Sequence, residues 1–190
     1  MKYRESGMPE EHIWDTFFHP SEILSKMAVD DHVNIFLDIG CGYGTFLLPA
    51  SKIVRNRAIG IDIDEEMIRK CQENAKRDRL TKTEFLSGDM SSAETRTALE
   101  KYRNSIDYIA LFNILHCENP VALLREAGRI LNRTGKIGVI HWKYEDTPRG
   151  PSMDIRPTPD YIITWAADAG LYLERQVDLP PYHFGLIFRK

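Results

Sequence analysis

Short apolar runs alternate with amphipathic stretches along most of this chain, and the two periodicities separate strands from helices. Runs at 34–39, 58–61, 83–86, 106–112 and 136–142 are mostly apolar, the last two β-branched or aromatic with few charges, as strands covered on both faces are. Between them, 45–54, 65–76, 91–102 and 120–131 space apolar residues three and four apart, as in Val121, Leu124, Ile130 and Leu131, which predicts crossover helices. This alternation predicts a mainly parallel sheet. Asp64 before Glu65 and Glu66 suits a helix N-cap, and Pro120 suits a first helical turn. Pro49, five residues beyond Gly44, fits only a helix that starts late or bends.

After the fifth run the pattern changes. Segment 143–159 holds Pro148, Pro151, Pro157 and Pro159 among charged residues, which predicts an ordered loop or a lid. A helix at about 160–169 follows. Residues 171–177 and 184–188 then read as strands joined across Pro180-Pro181, too close together for a parallel crossover, so the last strand should run antiparallel. Upstream, Ile13, Trp14, Phe17, Phe18, Ile23, Leu24 and Met27 predict two short amphipathic helices punctuated by Pro20. The expected organisation is a single α/β domain over 1–190. It comprises a helical cap (1–30), a cofactor-binding core (33–142), a substrate-side loop (143–159), and a helix with a C-terminal hairpin (160–190).

Length and charge narrow the function classes. A chain of 190 residues suits one domain. With 25 Lys+Arg against 28 Asp+Glu it offers no basic field to phosphate backbones, which disfavours general nucleic-acid binding while leaving a structured RNA partner open. No apolar signal region opens the sequence and no uncharged run is long enough to span a bilayer, so a soluble, cytoplasmic protein without membrane insertion is expected. Cys41, Cys71 and Cys117 are odd in number and lack metal-ligand spacing, which suits a reducing compartment and predicts no metal.

The candidate chemistry gathers where strands end. Phe36-Leu37-Asp38-Ile39-Gly40-Cys41-Gly42-Tyr43-Gly44-Thr45 joins an apolar strand to a G-x-G-x-G turn, where the backbone can approach a ligand without Cβ interference. Asp62 follows 22 residues after Gly40, near the offset at which an acid ending the second strand reaches a ribose diol. Asp38, Asp62, Asp89, Asn113 and His141 each close an apolar run, and in a parallel sheet those ends share one edge. Tyr182-His183, opening an antiparallel last strand, should reach the same edge.

Four motifs in order carry a resemblance: Leu37–Gly44, Gly60-Ile61-Asp62-Ile63-Asp64-Glu65-Glu66-Met67, Ser87-Gly88-Asp89-Met90, and Phe112-Asn113-Ile114-Leu115-His116. Together with the approach Arg129–Lys136 they make residues 8–142 resemble the class I S-adenosylmethionine-dependent methyltransferases, in particular the small-molecule branch related to ubiquinone and menaquinone biosynthesis. The resemblance implies a Rossmann-like three-layer sandwich with a seven-stranded, mostly parallel sheet whose last strand is antiparallel, and S-adenosyl-L-methionine as cofactor. It implies that Gly40, Gly42 and Gly44 admit the methionine portion, with Asp38 orienting that loop or reaching the ammonium and Asn113 near the ammonium. Asp62 would take the ribose diol, Asp89 the adenine amino group, and Ile63, Met67 and Met90 the ring. A sulfonium methyl is already electrophilic, so a base matters only if the nucleophile must lose a proton. The candidates by position are His116, His141 and Tyr144, with Glu145 and His183 behind them.

Plainer readings compete for several of these residues. Asp38 can be a cap, Asp89 can start the helix near Ser91, and His116 and His141 can be structural. Asn113-Ile114-Leu115-His116 replaces the Asp/Asn-Pro-Pro-Tyr of exocyclic-amine nucleic-acid methyltransferases, and no Pro-Cys nucleophile is present, so a small-molecule acceptor is expected. Two rivals stay open. An NAD-dependent oxidoreductase shares the strand–turn–acid logic, although its G-x-G-x-x-G fingerprint would need glycine where Thr45 stands. The other is a cofactor-binding protein without transferase activity.

Overall fold

The computed structural model describes residues 17–190. The expected helix around Ile13 and Trp14 lies outside them. Seven strands form one sheet: β1 Ile35–Ile39, β2 Arg57–Asp62, β3 Thr83–Ser87, β4 Ile106–Phe112, β5 Leu131–Trp142, β6 Tyr172–Leu179 and β7 His183–Arg189, in the order β3-β2-β1-β4-β5-β7-β6. β1 to β5 pair in parallel, and β7 is antiparallel to both β5 and β6. The turn after Leu179 returns at His183, which leaves no room for a crossover.

Six α-helices cover the sheet among the described residues: α1 Pro20–Lys26, α2 Leu47–Ile53, α3 Glu65–Arg77, α4 Ala93–Leu99, α5 Pro120–Ile130 and α6 Pro159–Asp168. Strand alternation divides the core in two. Leu37, Ile39, Ile61, Ile109, Leu111 and Val139 pack with Leu99, Leu123, Leu124 and Ile162 of α4 to α6. Phe36, Ala58, Tyr108, Ala110 and Ile140 pack with Leu24, Leu47, Leu48, Ile68 and Cys71 of α1 to α3. Each large apolar side chain fully removed from water contributes at most about 1.5–3 kcal/mol, so both layers hold the sheet in place. The second helix of the expected cap, α1, lies on the Tyr108 face, where Leu24 and Met27 are fully buried and the Tyr108 hydroxyl donates to Met27 O at 2.8 Å.

The helix starts follow local chemistry. Asp64 caps α3, accepting from Glu66 N at 2.8 Å, and Asn119 caps α5 ahead of Pro120, accepting from Ala122 N at 3.1 Å. α2 starts late, at Leu47, which places Pro49 in the first turn, where its ring meets no preceding helical turn. β5 departs from expectation: it begins at Leu131, immediately after α5, five residues before the apolar run. Leu131 pairs with Ile106, and the register then shifts before Tyr108 meets Lys136. The polar Asn132-Arg133-Thr134 segment hides this extension in sequence, and Asp107 anchors it by accepting from Asn132 Nδ2 and from Asn34 N and Ile35 N. Among the described residues no helix is long and apolar enough to cross a membrane.

Candidate active site

β1 delivers the glycine turn to the carboxyl edge, and β2 holds it there. Gly40 N and Cys41 N both donate to Ile61 O, at 2.7 and 3.1 Å, and Gly42 N donates to Asp62 Oδ2 at 2.9 Å. The turn closes with Gly44 N on Cys41 O at 2.8 Å. Gly44 cannot be replaced without strain: its φ is +90°, and a Cβ there would lie 2.6 Å from Cys71 Sγ and 2.7 Å from Leu48 Cγ. Gly40, at φ +79°, would bring a Cβ to 2.8 Å from Ile114 Cγ2.

Two carboxylates stand beneath this turn. Asp62 is buried and its second oxygen accepts from Asp64 N at 3.0 Å, so one side chain ties the glycine turn to the entry of α3. Asp38 is buried beside it. Burial, reinforced by the Asp62 charge, raises the Asp38 carboxyl to about 7, while a hydrogen bond from the Leu47 backbone works the other way. Asp38 is thus an acid whose charge is costly until a cation or donor approaches.

The other expected residues line the same edge. Ile63 is exposed just past β2, Met67 is half-buried on the first turns of α3, and Met90 is buried against the core. Asp89 folds back on its own loop, its Oδ1 accepting from Ser91 N at 2.7 Å and from the Ser91 hydroxyl at 2.8 Å, while Ser92 caps α4. Asn113 follows the end of β4 at φ +58°, with its N–H on Ile140 O at 2.8 Å. Both polar atoms of its amide are buried without a hydrogen-bond partner. Leaving them so costs about 1–3 kcal/mol each, so this amide is free to take a polar ligand group.

The histidines gather one strand over. His141, on β5, is fully buried and neither ring nitrogen has a partner; the His116 ring stands edge-on to it at 5.6 Å. Burial, helped by His116 and His183, pushes His141 well below the ordinary imidazole value, so it stays neutral. His183 opens β7 opposite Trp142, as the antiparallel reading required. Burial, with the nearby Lys143 and Arg156 charges, lowers it to about 3. Tyr144 stands 52% exposed at the start of the loop after β5.

The sequence profile of a family described as "Methyltransferase domain" matches residues 30–155, about two thirds of the chain. The chain belongs to this methyltransferase-domain family. S-adenosylmethionine is the family's cofactor. The chain is similar to the uncharacterized protein MJ0284 of Methanocaldococcus jannaschii, 40% identical over 153 residues covering 79% of this chain and 64% of that protein. It is similar to the 23S rRNA (uracil(1939)-C(5))-methyltransferase RlmD of Acinetobacter baumannii, 37% identical over 57 residues covering 29% of this chain and 12% of that protein. The chain thus spans less than two thirds of either relative's length. In fold it matches a SAM-dependent methyltransferase structure from Aquifex aeolicus, with a TM-score of 0.80, 24% identity, and 90% of this chain and 89% of the other covered.

Two features of this methyltransferase domain and its C-terminal extension escape sequence reading. The first is Arg156, buried in the proline-marked loop. A charged residue there reads as solvent-facing, and only its flanking Ile155 and Pro157 hint otherwise. The second is a recess of about 320 Å³ lined by Lys143, Tyr144, Pro159, Gln176, Val177, Asp178 and Phe184, on the β5-β7-β6 flank and away from the glycine turn. Its residues come from four separate segments, and no local motif unites them.

Proposed function

We propose that this chain transfers a methyl group from S-adenosylmethionine to a small-molecule acceptor by direct in-line displacement. The observation that carries the reading is the pairing, at one sheet edge, of the Asp62-held glycine turn with the buried, partnerless amide of Asn113. The bound cofactor supplies a sulfonium-activated methyl group. The protein's contribution is placement. Gly40, Gly42 and Gly44 let the backbone approach the methionine portion, and Asn113 together with the neutral-prone Asp38 offers acceptors to its ammonium. Asp62, having about four acceptor directions as a carboxylate, serves both the loop and the ribose diol. Ile63 and Met67 flank the adenine, with Met90 behind, and Asp89 reaches its amino group.

Alignment of the acceptor can lower the barrier by about 7–11 kcal/mol, so a proton acceptor is secondary. Where one is needed, His116 is better placed than His141, because His141 is enclosed and held neutral by burial. Tyr144 and the loop at 143–159 form the acceptor-side wall, and the α1 region closes over the sheet. A small molecule is favoured over RNA because the chain carries a net charge of −3. RlmD acts on rRNA by its name, but the match covers 12% of it.

Parallel calorimetric titrations with S-adenosylhomocysteine and NAD, followed by labelled-methyl transfer into a metabolite panel and into ribosomal RNA, test the reading. Micromolar binding of the first ligand and label in a small molecule are expected. Label in RNA alone, or no transfer at all, would replace the acceptor assignment or the enzyme assignment.

A further inference from the structure

Segment 143–157 is wound around one buried cation. The Arg156 guanidinium donates to five oxygens of that loop: Nε to Pro151 O at 3.0 Å, Nη2 to Pro151 O at 2.7 Å and Arg149 O at 3.5 Å, and Nη1 to Lys143 O at 3.1 Å, Glu145 O at 2.8 Å and Thr147 Oγ1 at 2.9 Å. Arg156 is only 7% exposed, so these bonds act in a low dielectric, where charge-assisted hydrogen bonds are strong. Gly150, at φ +115°, lets the loop close: a Cβ there would stand 2.9 Å from both Arg156 Nη2 and the Trp142 ring. The two ends are fixed as well, by Lys143 N on Tyr182 O at 2.8 Å and by the Thr158 cap of α6.

One nitrogen of this fork decides the rest. Nη1 holds the carbonyls of Lys143 and Glu145, the residues on either side of Tyr144, and so sets the peptide planes that aim the Tyr144 side chain. Tyr144 lines the recess of about 320 Å³ together with Lys143 and Phe184. Phe184 pairs across the sheet with His141, their rings 6.4 Å apart, which puts the recess next to the histidine cluster. We propose that Arg156 is a positioning residue: by clamping the carbonyls that flank Tyr144 it makes the loop a preformed wall and fixes the phenol at the mouth of the acceptor side. The use to which Tyr144 is put rests on the methyl-transfer reading, whereas the clamp stands on the loop itself.

The guanidinium presents five N–H groups in a rigid fork, and an ammonium presents three from one point, so lysine cannot span carbonyls arriving from four residues. Arg156→Lys and Arg156→Ala, Tyr144→Ala, and the double variant Arg156→Lys/Tyr144→Ala are compared with the unaltered chain. Two arms are read. Trypsin cleavage after Arg149 should quicken at least tenfold in both Arg156 variants while S-adenosylhomocysteine affinity stays within about twofold; unchanged cleavage would overturn the clamp whether or not the protein transfers methyl groups. In the transfer arm, labelled-methyl incorporation into whichever metabolites the unaltered chain modifies should fall about tenfold in Arg156→Lys. It should fall no further in the double variant than in Tyr144→Ala, and methylguanidinium should partly restore Arg156→Ala. Losses that multiply, or an Arg156→Lys variant as active as the unaltered chain, would overturn the positioning role. An unaltered chain that transfers nothing while the variants' cleavage quickens would instead sink the methyl-transfer reading and leave the clamp standing.

Discussion

The two halves of the carboxyl edge solve their polar accounting differently. Around β1 and β2, buried acids are spent on backbone N–H groups: Asp62 takes Gly42 and Asp64, and Asp38 takes Leu47. Around β5 and β7, both ring nitrogens of the buried His141 and Nε2 of His183 make no hydrogen bond, and the loop beyond them is held by a guanidinium. The first half is therefore built from neighbours in sequence or in the next strand. In the second, the loop clamp is local, with its acceptors 5 to 13 residues from Arg156, whereas the histidines come together from different strands.

The contrast can be broken most sharply at Gly44. Gly44→Val adds strain at a positive φ and a clash with Cys71 and Leu48, together about 2–6 kcal/mol. A large fall in melting temperature and loss of measurable S-adenosylhomocysteine binding are expected, and retention of normal affinity would remove the glycine turn from the site. Asp62→Ala should weaken that binding about 10- to 100-fold, since hydrogen bonds to a charged acceptor contribute about 1.5–3 kcal/mol. Unchanged calorimetric affinity would assign Asp62 to the loop alone.

Acid stability separates the halves by sign. Asp38 has a folded value raised to about 7, so between about pH 4 and 7 the folded state holds a proton that the unfolded chain has released, and this contribution is lost as pH rises. His141 and His183 are lowered in the folded state, so their contribution is present above about pH 6.5 and lost as pH falls. Over pH 4–6 the two effects oppose. Asp38→Asn should therefore steepen the loss of stability on acidification by one proton, about 1.4 kcal/mol per pH unit. Denaturant titrations across that range check it, and parallel curves for the two proteins would contradict the buried-acid assignment. The smallest expected effect lies on the β5-β7 flank: Tyr144→Ala should leave S-adenosylhomocysteine affinity within about twofold, and a tenfold change would show that the halves are not separate.

The same division explains what could be read from the sequence. The strand ends at Asp38, Asp62 and Asn113 were legible because buried parallel strands are apolar until they stop, and the antiparallel β7 followed from the short link across Pro180-Pro181. Asp89 was legible in place but ambiguous in role, and its bonds to Ser91 show the loop-forming function directly. The early part of β5 was invisible because Asn132 is held by Asp107, which lies on another strand, and Thr134 in turn by Asn132. Arg156 was invisible for a similar reason. Four of its five acceptors are main-chain carbonyls, which every sequence supplies and no motif records.

The junction of α5 and β5 has a consequence of a different kind. Ile130 ends the helix and Leu131 begins the strand, with no residue between them to act as a spacer. The rotational phase of the helix and the inside-outside phase of the strand are therefore set by one peptide unit. Natural variation in length should be scarce at this joint, and insertions that diversify relatives of this chain should collect elsewhere, in the connections that end at solvent.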